Sequence, residues 1–397
     1  MTVSDATDII PVAEIPESRR VALITSVNLV RASDAVPAHH RKTIDPDVDD
    51  LEEVWDHNVT RPRKRCRNEV TRSAGRNEIV QSLLMACGLQ KHLQVVSPEA
   101  ATLKMAAAFH DADYLETLRL CDDATREELL QYNLVDDSYP FPHVAHHALW
   151  IAGASLTAAS LLIRGQADIA INLCGGRHHA FSRRASGFCF INDVVLASLE
   201  LQKKLGRVMV IDIDVHHGDG TERAFLHSNK VMTISFHQRE PGFFPGTGDE
   251  ACTGKGKGLG YNVNVAFTHK STREEFMTRF ETVVREKFAS FSPVAVVFVC
   301  GVDALKCDPR GNLSLTPDDI VHCSRVMRDL CCQPSESEKK GPVPLLVTGA
   351  GGYHFVEAAK TWTRVVAELA NAHESLSKDI PEHEHFELYG PSWQLYA

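Results

Sequence analysis

From about residue 140 onward, short apolar runs alternate with longer stretches in which apolar residues recur every three or four positions. The runs at 167–173, 208–213, 231–236, 294–300 and 343–348 are nearly continuous, as in strands buried on both faces. Between and after them, 191–204, 272–289, 317–332 and 355–370 carry helical spacing. A long helix is predicted over 142–164, ended by Gly165, and another from Arg76 on the spacing of Ile79, Val80, Leu83, Leu84 and Cys87. Residues 21–26 predict the first strand. Strands joined by helical crossovers imply an α/β architecture, a parallel sheet with helices on both faces. Residues 1–20 are polar, carry two prolines and read as a flexible tail. Residues 31–75 hold charge runs, among them 45–50 and the basic cluster RPRKRCR at 61–67, and read as a surface insertion. QPSESEKKGPVP at 333–344 is a polar loop. No internal repeat divides the remainder, and 21–397 reads as one domain.

Composition adds exclusions. The 397 residues are 44% hydrophobic and 24% charged, ordinary for a globular chain. No apolar run approaches the ~20 residues of a membrane span, and the N-terminus lacks the apolar core of a secretory signal. Eleven cysteines without a CxxC arrangement, two of them adjacent (Cys331 and Cys332), predict reduced thiols in an intracellular compartment. A net charge of −10 argues against nucleic acid as main partner and suits a basic substrate. The 61–67 cluster reads equally as a nuclear-import signal or a solvated charge run.

Candidate chemistry sits where the strands end. Side chains alternate along a strand, so Asp212, Asp214 and His216 share one side and Ile211, Ile213 and Val215 the other. One such Asp would be a turn former or helix cap. Three ligand-type side chains at the end of a core strand predict a metal site, because buried charges need a partner. In a parallel sheet the carboxyl ends share one edge, where ligands bind. The end of 294–300 brings Asp303 there, and Asp214, His216 and Asp303 would make a zinc site with an open fourth position, the catalytic arrangement. The end of 167–173 brings His178 and His179 behind two glycines, placed for proton transfer, for metal binding or simply as loop caps. Asp212 and Asp219 can accept from these rings. Tyr353, after a glycine-rich turn, is either an oxyanion donor or a packing residue. The glycine clusters lack a GxxxxGK[ST] or GxGxxG phosphate cradle.

Five motifs in order, GGRHHAFSRRASGFCFIND (175–193), DIDVHHGDGTERAF (212–225), VMTISFHQREPGFFPGTGD (231–249), GVDALKCDP (301–309) and GAGGYHF (349–355), together resemble the zinc-dependent histone deacetylases of class I. The closing run DIPEHEHFELYGP (379–391) is most similar to the type-8 branch of that class. The resemblance covers about 76–391 and implies the single-domain arginase/deacetylase fold, with a parallel sheet of about eight strands. It implies zinc, or ferrous iron, held by Asp214, His216 and Asp303. His179 is then general base and acid, His178 electrostatic support, Asp212 and Asp219 their carboxylate partners, and Tyr353 the oxyanion donor. Phe188 and Phe244 would wall the acyl-lysine tunnel, Gly187 would accept the substrate amide, and Asp137 would bind substrate backbone at the rim. Structural potassium would lie at Asp212, Asp214, His216, Ser235 and Phe236, and again at Phe225, Ser228, Val231 and Tyr261. The implied partners are acetylated lysines of histones or other proteins, chromatin co-repressor proteins and hydroxamate-type zinc-chelating inhibitors, with no nucleic acid or membrane; the implied location is nucleus, cytoplasm or both.

Two positions depart from that family's pattern. Arg177 replaces an apolar residue at the foot of the pocket, and Arg310 an apolar residue at its lip, where it either alters peptide preference or points to solvent. An acetylpolyamine amidohydrolase shares the chemistry. A two-metal ureohydrolase is disfavoured, since the Asp-x-Asp-x-His-His run supplies one metal and a histidine pair. A silent scaffold of a chromatin complex is the non-enzyme alternative.

Overall fold

The computed structural model describes residues 20–34, 75–332 and 341–396. Most of the 1–20 tail, the core of the 31–75 insertion with its basic cluster, and most of the 333–344 loop lie outside the described residues. Eight strands form one sheet: β1 Val21–Ile24, β2 Gln94–Val96, β3 Ile169–Asn172, β4 Val208–Asp212, β5 Val231–Gln238, β6 Asn262–Phe267, β7 Ala295–Val299 and β8 Leu345–Thr348. They lie in the order β2-β1-β3-β8-β7-β4-β5-β6, and every pairing is parallel. One parallel sheet of eight strands is what the sequence resemblance implied.

The central strands are apolar on both faces because both faces are covered. Met209, Ile211, Val296, Phe298, Leu345 and Val347 enter one core, shared with α2 (Arg76–Ala86), α9 (Arg273–Phe291), α10 (Pro317–Cys332) and α11 (Phe355–Leu369). Val208, Val210, Ala295, Val297 and Leu346 enter the other, shared with α1 (Val27–Ser33), α6 (Val144–Ile163), α7 (Asp193–Lys204) and α8 (Asp219–Phe225). A third cluster packs α3 (Leu103–Ala106), α4 (Ala112–Arg119) and α5 (Arg126–Gln131) on the outer side of α6.

Local rules explain the ends. Pro317 opens α10, where a missing N–H costs nothing, and Thr316 donates from both its N–H and its hydroxyl to Asp319, at 2.8 and 2.7 Å. The start of α2 is served from afar: the Asp34 carboxylate accepts the N–H groups of Asn77 and Glu78 at 3.2 and 2.8 Å.

Some expectations need correction. The surface insertion does not begin at 31, because α1 continues to Ser33, capped by Ser26 and burying Leu29, Val30 and Ala32. Among the described residues one helix, α6 with 20 residues, is long and apolar enough to cross a membrane. Its apolarity has another use, since it is sandwiched between the sheet and flanking helices. Two strands went unread. β2 has only three residues. β6 hides behind Asn262 and Asn264, which are buried polar residues rather than the solvent-facing ones an edge strand suggests.

Candidate active site

All parallel strands deliver their carboxyl ends to one edge, so the loops after β3, β4, β5, β7 and β8 meet there. Beyond the last residue of β4, Ile213 and Val215 stay in the core while Asp214 and His216 turn the other way. Asp303, from the loop after β7, joins them. Donor atoms of these three buried residues lie within 4.8 Å of one another. His216 Nδ1 faces Asp214 Oδ1 at 3.0 Å and Asp303 Oδ2 at 3.1 Å.

The chain holds both carboxylates in place. Asp303 Oδ1 accepts the Val215 N–H at 2.8 Å, and Asp214 Oδ2 accepts the Gly351 N–H at 2.6 Å. A Cβ on Gly351 would stand 2.0 Å from Asp303 Oδ2, so that position must be glycine. Burial pushes Asp303 up, and the neighbouring Asp214 charge adds to it, to about 7. Against its own burial, His216 is held up at about 10 by Asp214 and Asp303. Two buried carboxylates converging on one imidazole nitrogen call for positive charge there, supplied by the ring's own proton or by a metal ion in its place. The Asp–His–Asp donor set fits zinc, or ferrous iron, with a fourth position left to water or substrate.

The loop after β3 supplies two imidazole–carboxylate pairs. His178 Nδ1 lies 2.6 Å from Asp212 Oδ2 and His179 Nδ1 lies 2.8 Å from Asp219 Oδ1; the two rings are 4.0 Å apart. Their environments separate them. Burial disfavours charge on His178, but Asp212, Asp214 and Asp219 outweigh it and raise the ring to about 9. For His179, burial and the neighbouring His178 charge lower the ring to about 4. Near neutral pH one ring is a cation and the other a free base, the split that acid–base chemistry uses.

Aromatic side chains enclose the space above. Gly187 and Phe188 have φ of 53° and 62°, the two central residues of a tight turn closed by hydrogen bonds between Ser186 and Cys189 at 3.1 and 2.9 Å. A Cβ on Gly187 would lie 2.5 Å from the His179 ring. The Gly187 carbonyl accepts from the Cys189 thiol at 3.2 Å. Phe244 sits edge-on to His179 at 4.9 Å, Phe243 stacks on His216 at 5.3 Å, and Phe188 and Tyr353 lie 6.4 Å apart. Burial and the Asp303 and Asp214 charges push the Tyr353 hydroxyl well above its ordinary range, so it stays protonated and can donate. Arg310 does not point away into solvent: its guanidinium lies 5.8 Å over the Tyr353 ring. Asp308 accepts the Tyr353 N–H at 2.6 Å.

Other expected residues fall elsewhere. Asp137 lies in the 3-10 turn Asp136–Ser138, accepting from the Ser138 hydroxyl at 2.8 Å. Asp212, Asp214, His216, Ser235 and Phe236 gather at the carboxyl ends of β4 and β5, where Asp212 and Ser235 are register partners. Phe225, Ser228, Val231 and Tyr261 gather at the opposite end of β5, with Val231 its first residue. Two functional neighbours escaped the sequence reading. Arg76 read only as a helix start, yet its Nη1 donates to the carbonyls of Ala350 and Gly352 at 2.9 and 3.1 Å and steadies the turn that carries Tyr353. Phe243 was passed over for its neighbour, and nothing in the local pattern separates them.

Comparison with known proteins places the chain in a family. Residues 70–369 match the family model described as the histone deacetylase domain. The chain is 40% identical over 333 residues to histone deacetylase 8 of Xenopus tropicalis, covering 83% of this chain and 87% of that one. It is 37% identical over 331 residues to histone deacetylase 8 of Danio rerio, covering 83% and 84%. To histone deacetylase RPD3 of Saccharomyces cerevisiae it is 36% identical over 324 residues, covering 81% and 72%.

Proposed function

Because the chain belongs to the class I histone deacetylase family, is similar to its type-8 members and is therefore a deacetylase hydrolase, we propose that it hydrolyses the ε-amide of acetyl-lysine in histones or other proteins with a zinc or ferrous ion at Asp214, His216 and Asp303. One observation carries this reading: three buried metal-type donors converge beside a histidine pair that is split into a cation and a free base. When bound, such an ion polarises the amide carbonyl and lowers the pKa of water from 15.7 towards about 7.

The side chains do the rest. With Nδ1 committed to Asp219, His179 has Nε2 free to take a proton from the attacking water and to return it to the departing lysine amine. His178, charged through Asp212, offsets the negative charge that builds on the carbonyl oxygen. Tyr353 donates its hydroxyl to that same oxygen. Phe188 and Phe244 favour the apolar stem of a neutral acyl-lysine over a lysine ammonium, whose desolvation is costly. Potassium at the two backbone-rich positions and a substrate-backbone role for Asp137 belong to the same proposal. So do chromatin co-repressor partners and inhibition by hydroxamates.

The test is hydrolysis of acetyl-lysine peptides and of acetylspermidine by the purified chain, stripped with a chelator and then reloaded with zinc. Peptide turnover that returns with zinc is expected. Faster acetylspermidine turnover would make it a polyamine amidohydrolase. No turnover in the reloaded protein would leave a scaffold.

A further inference from the structure

Beneath the catalytic groups a cavity of about 90 Å³ runs from His178, His179, Asp214 and Tyr353 to Arg76, Asp34 and Ser33. Its wall carries two guanidinium groups in different situations. Arg76 is engaged, donating to two carbonyls at 2.9 and 3.1 Å and lying 4.9 Å over the Trp362 ring. Arg177 is not. Its backbone N–H donates to Asp193 at 2.7 Å, but among the described residues its guanidinium meets no acceptor, and Nε is sealed from solvent without a partner.

Nor does the wall hold a carboxylate to spare. Only Asp34 and Asp214 among the lining residues are acidic. Asp214 belongs to the metal cluster, and Asp34 already accepts from Asn77 N, Glu78 N and Asn77 Nδ2 at 3.2, 2.8 and 2.9 Å. Behind the wall, Asp193 is occupied by the Ser155 hydroxyl and by the N–H groups of Gly176 and Arg177, at 2.5, 3.1 and 2.7 Å. The two guanidiniums and two carboxylates of the wall balance in number, but among the described residues no carboxylate pairs with Arg177, and a half-buried cation without a partner is costly until an anion meets it. A planar guanidinium fork matches a carboxylate best. An acyl group whose carbonyl lies between Tyr353 and the metal cluster would extend its chain into this cavity.

Resting on the deacylase reading above, we propose that the chain hydrolyses ε-N-acyl-lysines derived from short dicarboxylic acids, malonyl, succinyl or glutaryl, with Arg177 holding the free carboxylate. The chemistry is the same hydrolysis. The oxygen of water joins the acyl carbon, the C–N bond breaks, the amine leaves with a proton, and a dicarboxylic acid is released in place of acetate.

The test compares peptides bearing acetyl-, butyryl-, malonyl-, succinyl- and glutaryl-lysine, using the metal-loaded parent, Arg177→Leu and Arg177→Lys. At least one dicarboxylic substrate should exceed butyryl-lysine roughly tenfold in kcat/KM. Arg177→Leu should erase that advantage, Arg177→Lys should keep part of it, and acetyl-lysine turnover should persist in both variants. A second readout is direct binding of labelled succinyl and butyryl peptides to metal-stripped protein, where the parent should prefer succinyl and Arg177→Leu should not. The inference is overturned if acetyl-lysine is hydrolysed but no dicarboxylic substrate outpaces butyryl-lysine, or if Arg177→Leu leaves the ratio unchanged. Weakened binding of free acetate in Arg177→Leu, with no preference among acyl peptides, would also overturn it by leaving only a product site. Loss of acetyl-lysine turnover in the parent would instead sink the deacetylase reading, and this one with it.

Discussion

At the scale of single residues, the site works by giving like groups unlike surroundings. Tyr353 is a neutral donor held beside two carboxylates, and Tyr353→Phe should lower turnover by about 100-fold or more while bound metal, measured by elemental analysis, is unchanged. Equal turnover would remove the hydroxyl from the reaction. The histidine pair makes a signed prediction about pH. His179, lowered to about 4, is a free base above that value, and His178, raised to about 9, keeps its proton below that value. Activity should thus fall at the acid end as His179 gains a proton and at the alkaline end as His178 loses one. Asp212→Asn removes the negative charge, 2.6 Å from Nδ1, that raises His178, so the alkaline limb of kcat/KM should move to lower pH; an unmoved limb would assign it elsewhere. These residues were legible because contiguous motifs carry them. Arg76 and Gly351 were not, since each acts on a group far away in sequence: Arg76 on the carbonyls of 350 and 352, Gly351 by leaving room for Asp303.

At the scale of elements, the buried parallel strands could be read from composition, because strands covered on both faces must be apolar throughout. Their ends were read long: 167–173 shortens to Ile169–Asn172 and 343–348 to Leu345–Thr348, since the flanking Ala167, Leu173 and Val343 still pack on the core after the strand pairing ends. α8 and β6 were missed together because one polar cluster joins them. Glu222 on α8 accepts from Asn262 and Asn264 on β6, both at 2.7 Å, and faces His217 Nε2 at 3.1 Å. A reader of local hydrophobicity sees such residues as surface. Burial would raise Glu222, but His217 and the two asparagines outweigh it and hold it near 2. A carboxylate depressed from 4.5 stabilises the fold above that value and loses the contribution as pH falls through about 2. Glu222→Gln should therefore lower Tm near neutral pH and converge with the parent in strong acid. Parallel melting curves at every pH would contradict this.

Across the whole molecule, one sheet sets the division of labour. Its carboxyl edge collects the reactive side chains, while its interior is apolar. Metal bound only by the folded chain should add RT ln(1 + [M]/Kd), about 2.7 kcal/mol at a hundredfold excess over Kd. Chelation should lower Tm of the parent accordingly and leave Asp303→Ala unmoved; equal shifts in both would place the metal elsewhere. The contact between Asp34 and the start of α2 has a separate consequence. Asp34 and Gly75 are so close that a Cβ on Gly75 would sit 2.2 Å from the Asp34 side chain. Closing a loop between fixed ends costs free energy that grows only as the logarithm of its length, so chain of very different length can be spliced between them. Trading 36–73 for a short Gly/Ser linker should leave Tm within a few degrees, as followed by circular dichroism, and a tag protein whose termini lie side by side should be accepted at the same junction. The junction would then set a foreign chain at the wall of the cavity below the site, which Asp34 and Gly75 both line.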